Sequence, residues 1–210
     1  ITCIHPLAEL TGTILPAFAS GIWTGPQSFT STSPDTFTSL AGTYILTATL
    51  SNGCSASAST EVTPDTIAPQ LTLAAETISC ADTLAVLYAQ SEPGADSFFW
   101  QGPQQFTANT LEALTPHPGL YVFTAKSSNG CLSTDSVLVP ADTMAPPLQA
   151  SADTLTCRDT IVWLTGQSSP GTILVWNGHP SGDSLMVTDP GTFALTATGI
   201  NGCSQSLTVI

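Results

Sequence analysis

Positively charged side chains are almost absent from this sequence. Its 210 residues include 2 Lys or Arg against 15 Asp or Glu, which gives a formal net charge of -13. We expect no nucleic-acid partner, because binding to phosphates needs clustered cations and only Lys126 and Arg158 are available. An anionic membrane surface would repel the chain for the same reason.

Several patterns that mark other protein classes are missing as well. No apolar run approaches the roughly 18 to 20 residues that cross a bilayer, so no membrane insertion is expected. Without Cys-x-x-Cys or paired His, we do not expect zinc. The sequence predicts no other metal and no cofactor. Catalysis is not expected either, because His5, His117 and His179 lie at unrelated positions and no Gly-x-Ser-x-Gly motif occurs. The sequence predicts a protein that is not an enzyme.

Three copies of one pattern fill the chain. The first cysteine of each copy recurs after 77 residues (80 − 3 and 157 − 80), whereas the third copy is shortened later on. The matched positions are Cys3, Cys80 and Cys157; Trp23, Trp100 and Trp176; and Cys54, Cys131 and Cys203. A unit of this length suits a small domain better than a solenoid coil. We therefore predict three domains, called repeats 1, 2 and 3, at residues 1–66, 67–143 and 144–210.

Each copy contains an alternating apolar stretch followed by Asn-Gly-Cys. In repeat 2 the apolar positions are Tyr121, Phe123 and Ala125, the period-2 pattern of a strand with one face on a core. Asn-Gly predicts a type I′ hairpin turn. About seven short strands per copy, separated by turn signals, predict an all-β protein made of antiparallel sandwiches.

Short proline-containing linkers join the copies at residues 64–69 and 141–147. Proline fixes its own φ and extends the residue before it, so we expect little hinge motion. At roughly 35 Å per sandwich, three would form an end-to-end rod on the order of 100 Å long.

The arrangement of a cysteine, a tryptophan and a second cysteine in each copy resembles the immunoglobulin pattern. The resemblance implies one disulfide per domain: Cys3–Cys54, Cys80–Cys131 and Cys157–Cys203. Closing a loop of about 50 residues would add roughly 4 kcal/mol to the stability of a small domain. Six cysteines in a Ser/Thr-rich chain also favour an oxidising location, extracellular or at the cell surface.

Pro-Gly-x-Tyr resembles the tyrosine corner of immunoglobulin-like (Ig-like) sandwiches, in which the phenol binds nearby backbone. It would involve Tyr121. Repeat 1 has Ala-Gly-x-Tyr, with Tyr44 at the matched position, whereas Phe193 in repeat 3 lacks the hydroxyl. A plain core aromatic is the alternative interpretation.

Nine of the ten aspartates precede Ser or Thr, and in seven of these pairs an aliphatic residue follows. The pattern resembles the O-glycosylation sequon of Bacteroidota. The resemblance implies sugars on Thr66, Thr83, Ser136, Thr143, Thr154, Thr160 and Ser184. The alternative is that Asp and Thr begin turns and strands through local hydrogen bonds.

Trp-x-Gly-Pro, Asn-Gly-Cys and Asp-Thr-x-Ala-Pro recur along the chain. Together with Pro-Gly-x-Tyr they resemble the tandem Ig-like or PKD-like repeats of secreted and cell-surface proteins of Bacteroidota. The resemblance implies export and a structural role in a surface fibre, filament or adhesin stalk. A carbohydrate- or protein-binding module is the alternative, and Trp163, additional to repeat 3, is its candidate ligand-binding residue.

The ends of the chain leave two interpretations open. It starts at Ile1 without an initiator Met, so we expect a processed product or part of a longer array. Repeat 1 also lacks the strand that repeats 2 and 3 place before their first cysteine, and a strand from another copy could fill that edge. Expected partners are therefore neighbouring repeats, other copies of the chain or surface glycans. Asp65 and Asp142 recur at the two linkers, with Asp82 and Asp159 a domain edge away, and calcium is a possible ligand there. One or two carboxylates per junction supply few of the six to eight oxygens that calcium needs.

Overall fold

A computed structural model describes residues 1–15, 19–177 and 182–210. Within these ranges the chain is built of strands, with helical structure limited to two short 3-10 turns at Pro26–Ser28 and Pro103–Gln105. None of its described helices has the length and apolarity to cross a membrane. Three separate clusters of buried apolar side chains form, and one falls within each predicted domain range.

The strands are numbered in chain order. Repeat 1 contains β1 (Ala8–Leu10), β2 (Ser20–Gly25), β3 (Phe29–Ser31), β4 (Thr36–Thr38), β5 (Gly42–Thr49) and β6 (Ser55–Val62). Repeat 2 contains β7 (Gln70–Ala75), β8 (Ile78–Ser79), β9 (Ala85–Glu92), β10 (Ser97–Gly102), β11 (Phe106–Ala108), β12 (Glu112–Thr115), β13 (Gly119–Lys126), β14 (Leu132–Val139) and β15 (Ala141–Asp142). Repeat 3 contains β16 (Leu148–Ala152), β17 (Val162–Ser168), β18 (Ile173–Trp176), β19 (Ser184–Val187), β20 (Phe193–Thr198) and β21 (Ser204–Val209).

Repeat 2 is a sandwich of two antiparallel sheets. One sheet has the order β11-β10-β13-β14 and the other β12-β9-β7. The alternate positions Tyr121, Phe123 and Ala125 on β13 are all fully buried, as the period-2 pattern predicts. Trp100 and Leu87 approach them from β10 and β9 to complete the core. The predicted all-β sandwich is confirmed.

Two of the recurring motifs pack on each other. Gly102, in Trp-x-Gly-Pro, lies against the Tyr121 ring, and a Cβ at this position would overlap it. Gly119, before Tyr121, has φ +139° and faces Pro103. The Tyr121 hydroxyl donates to the carbonyl of His117 at 2.8 Å, and Tyr44 donates equivalently to Leu40 at 2.9 Å. The tyrosine corner is therefore confirmed in repeats 1 and 2.

The predicted type I′ turn at Asn-Gly is wrong. Of the turn residues 51–53, only Gly53 has positive φ, and its N–H donates to the carbonyl of Leu50. The Leu50 N–H donates to the carbonyl of Cys54. This is a three-residue hairpin in which a left-handed glycine follows an ordinary turn. The Asn52 carboxamide oxygen accepts a hydrogen bond from the Cys54 N–H, so the side chain stabilises the turn while the Asn52 backbone stays outside the left-handed region.

Repeat 1 has an open groove where repeats 2 and 3 hold a strand. The sheet that contains β9 in repeat 2 is reduced to β1 and β4 in repeat 1, whose described residues include no counterpart of β7. Strand β6 is consequently exposed from Ser55 to Glu61, whereas β14 and β21 are partly covered by β7 and β16. The groove has a volume of about 320 Å³ and is lined by residues including Ala8, Leu10 and Val62.

Candidate functional site: the junctions between repeats

The cysteines join neighbouring repeats. Cys3 of repeat 1 is bonded to Cys131 of repeat 2, and Cys80 of repeat 2 is bonded to Cys203 of repeat 3. The remaining two, Cys54 and Cys157, are free and exposed. The predicted pairs Cys3–Cys54, Cys80–Cys131 and Cys157–Cys203, one within each domain, are therefore wrong.

In repeat 2, strand β14 keeps the two cysteines of the repeat apart. Cys131 immediately precedes β14, whereas β8, which leads to Cys80, pairs in parallel with β15 beyond the far end of β14. The Ile78 N–H donates to the carbonyl of Pro140 and fixes this arrangement. The ten residues from Cys131 to Pro140 are nearly extended and span roughly 30 Å. Cys131 and Cys80 lie at opposite ends of this stretch, far beyond the roughly 7 Å limit for the Cα atoms of a disulfide.

The junction between repeats 1 and 2 is a compact set of polar contacts around the Cys3–Cys131 bond. The Asn129 side chain, which is buried, donates to the Asp65 carboxylate and to the Ile67 carbonyl, both at 2.9 Å. Its backbone carbonyl accepts the Ile4 N–H at 3.3 Å. One asparagine therefore binds both the linker and the cysteine loop of the preceding repeat.

The junction between repeats 2 and 3 repeats this arrangement at equivalent positions. Asn201 donates to the Asp142 carboxylate at 2.8 Å and to the Met144 carbonyl at 2.9 Å, and its carbonyl accepts the Ala81 N–H at 3.1 Å. Both linkers are also held along the preceding cysteine segment, by a bridge between Thr2 and Asp65 and by the pairing of β15 with β8. The same interface is thus built twice.

The glycine of Asn-Gly-Cys fits beneath the loop that carries the partner cysteine. A Cβ added to Gly130 would overlap the Ile4 side chain, and one added to Gly202 would overlap Ala81, including its backbone. Repeat 1 differs, because a Cβ at Gly53 would meet no described atom within 4 Å. The equivalent surface of repeat 1 is open.

The linker aspartates accept hydrogen bonds in both junctions. No group of three or more His, Cys, Asp or Glu side chains able to hold a metal occurs in the described ranges. The carboxylates of Asp65 and Asp142 accept hydrogen bonds from Asn129 and Asn201. Neither asparagine was identified from the sequence as a binding residue, although Asp in the linker and Asn in the following hairpin recur together.

The predicted glycosylation sites lie mostly at the surface. Thr66, Thr83, Ser136, Thr143, Thr154 and Thr160 are exposed, and Ser184 is half-buried. Some of their aspartates also make local bonds of the kind that the alternative interpretation requires, since Asp135 accepts the Ser136 N–H at 2.7 Å. Accessibility suits modification, and glycosylation stays a prediction.

Trp163 is exposed on the outer face of β17, as its place in the alternating pattern indicates. It is 54% exposed and pairs across the sheet with Met186, also exposed. His5 is exposed, His117 contributes its carbonyl to the tyrosine corner, and His179 lies outside the described residues.

No model of a known protein family and no curated protein matches this chain. Among solved structures, one from a study of host cell surface retention of a 1.5-MDa bacterial ice-binding adhesin aligns with 96% of this chain and 88% of its own, at a TM-score of 0.52 and 14% identity. A Ca2+-stabilized adhesin that helps an Antarctic bacterium bind ice aligns with 96% of this chain and 66% of its own, at a TM-score of 0.45 and 15% identity. Sidekick-1 immunoglobulin domains 1-4 align with 96% of this chain and 67% of their own, at a TM-score of 0.28 and 15% identity. The likeness to the first of these is one of fold, that of Ig-like repeat domains.

Proposed function

We propose that this chain is a structural segment of an extracellular fibre, filament or adhesin stalk, exported to the cell surface or beyond. The observation that carries the proposal is the pair of disulfides that join successive repeats. Hydrogen bonds hold each linker against the cysteine segment of the preceding repeat. Such junctions would supply length and stiffness, and the adhesin-like fold supports this role.

The two disulfides would also limit how far the chain extends under tension. They join Cys3 to Cys131 and Cys80 to Cys203, so three segments connect the two bonds in parallel: 3–80, 80–131 and 131–203. The shortest, of 51 residues (131 − 80), sets the limit. Together with the tails at residues 1–3 and 203–210, about 60 residues can extend, to a length of roughly 200 Å. The reduced chain of 210 residues would reach roughly 700 Å.

Single-molecule stretching of the full chain between its termini tests this proposal. We expect the oxidised chain to stop near 200 Å and the chain in a thiol reductant to extend to about 700 Å. In the variant Cys3→Ser/Cys131→Ser, only the second bond remains, and the limit should rise to about 300 Å.

The matched control is Cys54→Ser/Cys157→Ser, which should extend no further than the wild-type chain. If the disulfides lay within the repeats, the wild-type chain would stop at nearly the same length. The control would then keep only the Cys80–Cys131 bond and would extend much further, so it separates the two pairings. An oxidised control that extends well past 200 Å would overturn the proposed crosslinks and the structural role based on them.

Partners of this segment would be neighbouring repeats or further copies of the chain. The groove of repeat 1, next to β1 and β6, has the place of one strand vacant relative to repeats 2 and 3. An extended segment similar to β7 would pair with β1 and cover β6.

A second candidate function is a carbohydrate- or protein-binding module of a secreted multidomain protein. The exposed Trp163 and its neighbour Met186 favour it, because an exposed aromatic ring can stack on a sugar. A glycan that binds the wild-type chain and loses its binding to Trp163→Ala would support this function. Equal binding by both proteins would rule out Trp163 as the binding residue.

A further inference from the structure

The two free cysteines occupy the positions that are bonded in the junctions. Cys54 corresponds to Cys131 and Cys203, the hairpin cysteines, and Cys157 corresponds to Cys3 and Cys80, the loop cysteines. Each observed disulfide joins a loop cysteine to the hairpin cysteine of the following repeat. One hairpin cysteine, on repeat 1, and one loop cysteine, on repeat 3, therefore have no bonded partner in the described chain.

The hairpin of repeat 1 already has the conformation of the bonded hairpins. The Cys54 N–H donates to the Asn52 side-chain oxygen at 3.0 Å, as Cys131 does to Asn129 at 2.9 Å. The Gly53 N–H donates to the carbonyl of Leu50, the bond that Gly130 makes to Ser127. This surface needs no rearrangement to receive a cysteine loop.

The loop of repeat 3 is likewise formed in advance. The Thr156 N–H donates to the carbonyl of Asp159 at 3.0 Å, and the Asp159 N–H donates to the Thr156 hydroxyl at 2.9 Å. Ser79 and Asp82 make the same two bonds around the disulfide-bonded Cys80. Cys157 is thus presented on the same loop that repeats 1 and 2 use for their bonds.

We propose that the hairpin of Cys54 and the loop of Cys157 are the two halves of one further junction, and that each binds the complementary half of another repeat of this kind, here on a second copy of the chain. The contact is head to tail, so one surface meets a different surface and the association continues along a line. This contact would join a loop cysteine to a hairpin cysteine, as the two junctions within the chain already do. Docking would place the Cys157 loop of one copy over Gly53 of the next.

The bond would form by thiol–disulfide exchange with a small external disulfide such as oxidised glutathione. One cysteine thiolate attacks the external disulfide and releases one glutathione thiolate. The second cysteine thiolate then attacks the mixed disulfide and releases the other. Two protein thiols lose two electrons and two protons in total, and one glutathione disulfide becomes two glutathione thiols.

Two full-length variants test the direction of this pairing. Cys54→Ser keeps only the loop cysteine free, and Cys157→Ser keeps only the hairpin cysteine free. In oxidised and reduced glutathione, we expect an equimolar mixture to form a dimer linked through Cys54 and Cys157, at a yield at least about tenfold above either variant alone, which a modest docking preference would give. Wild-type chains should continue to longer oligomers. Non-reducing electrophoresis and mass mapping of the linked peptides measure both results.

A third variant tests docking as distinct from thiol reactivity. Asparagine tolerates the positive φ of +86° at Gly53 better than other side chains, and space around Gly53 is open in the free chain. Gly53→Asn should therefore leave the fold unchanged by circular dichroism, yet obstruct the incoming loop. In the Cys157→Ser background it should reduce the dimer yield to the level of the single variants.

Three results would overturn the proposal: no dimer in the mixture, equal yields from the mixture and from each variant alone, or an unchanged yield with Gly53→Asn. This inference extends the proposed function by naming what joins the ends of the segment. Its failure would leave the stretching limit of the single oxidised chain unchanged, so the two proposals can fail separately.

Discussion

Thr115 and Tyr121 form a buried hydroxyl pair in repeat 2 that repeat 3 replaces with apolar side chains. The two hydroxyls are hydrogen-bonded to each other, and Thr38 and Tyr44 form the same pair in repeat 1. Repeat 3 carries Val187 and Phe193 at these positions. Loss of the phenol is thus matched by loss of its partner, so no buried hydroxyl is left without that bond.

We predict strong coupling between these two positions. Tyr121→Phe should lower the free energy of unfolding by about 1 to 3 kcal/mol, because the Thr115 hydroxyl and the His117 carbonyl each lose a buried partner. Adding Thr115→Val should recover part of that loss, since the pair then resembles repeat 3. Urea unfolding of the four proteins of the double-mutant cycle measures the coupling, for which we expect about 0.5 to 3 kcal/mol.

The corresponding cycle at Thr38 and Tyr44 serves as the matched comparison in repeat 1. Strictly additive losses at both pairs would contradict the prediction. The sequence predicts the tyrosine corner from Pro-Gly-x-Tyr, because the motif lies at one place in the chain. It does not predict Thr115 as the partner, because that residue lies on β12, in the opposite sheet from β13.

At the level of strands and turns, alternation of apolar residues is informative because each strand has one face on a core. The buried face of β13 could therefore be predicted from the sequence. The turn that follows could not, because Asn-Gly suits both a two-residue and a three-residue hairpin, and the Asn side chain decides between them by accepting the N–H of Cys131.

The open groove of repeat 1 predicts that an added strand will stabilise that repeat. Ile1 corresponds to Ile78, so the sequence of residues 70–77 joined directly before Ile1 reproduces the order found in repeat 2. Leu71 and Leu73 are half-buried in β7. Two such side chains in the groove should raise the free energy of unfolding of repeat 1 by roughly 2 kcal/mol.

Hydrogen exchange of β1, β5 and β6, compared with the unextended chain, measures this effect. The control extension carries serine in place of both leucines and should give no added protection. If both extensions protect these strands equally, added chain length rather than strand insertion is responsible, and the prediction is wrong.

Across the whole molecule, the pairing of the cysteines could not be read from their spacing. Cys80–Cys131 and Cys3–Cys131 are both reasonable in sequence, and only the direction of β14 and the course of the linker show which cysteines lie together. The linkers illustrate the same limit. Their proline content predicts a stiff connection, but Asn129 and Asn201, which bind them, come from hairpins more than 50 residues away.

The small fraction of charged residues in the whole molecule leads to the last prediction, which concerns glycosylation. Only 8% of the residues are charged, and exposed apolar side chains such as Leu15, Met144 and Ile200 are spread over the surface. Sugars on exposed hydroxyls would shield such a surface from association. We therefore expect protein from its native source to exceed the bare mass of 21.6 kDa in sugar-sized steps.

Peptide mapping should then place the added mass on the exposed sites Thr66, Thr83, Ser136, Thr143, Thr154 and Thr160, with the least on half-buried Ser184. Asp35→Asn is a useful control variant, because Thr36 follows an aspartate but precedes an aromatic residue and lies outside the sequon. It should leave the added mass unchanged, whereas Asp82→Asn should remove the sugar from Thr83. Native protein at the bare mass would show that the hydroxyl residues after these aspartates are not glycosylated. The hydrogen bonds of Asp65 and Asp142 to the junction asparagines would then be their principal role in the linkers.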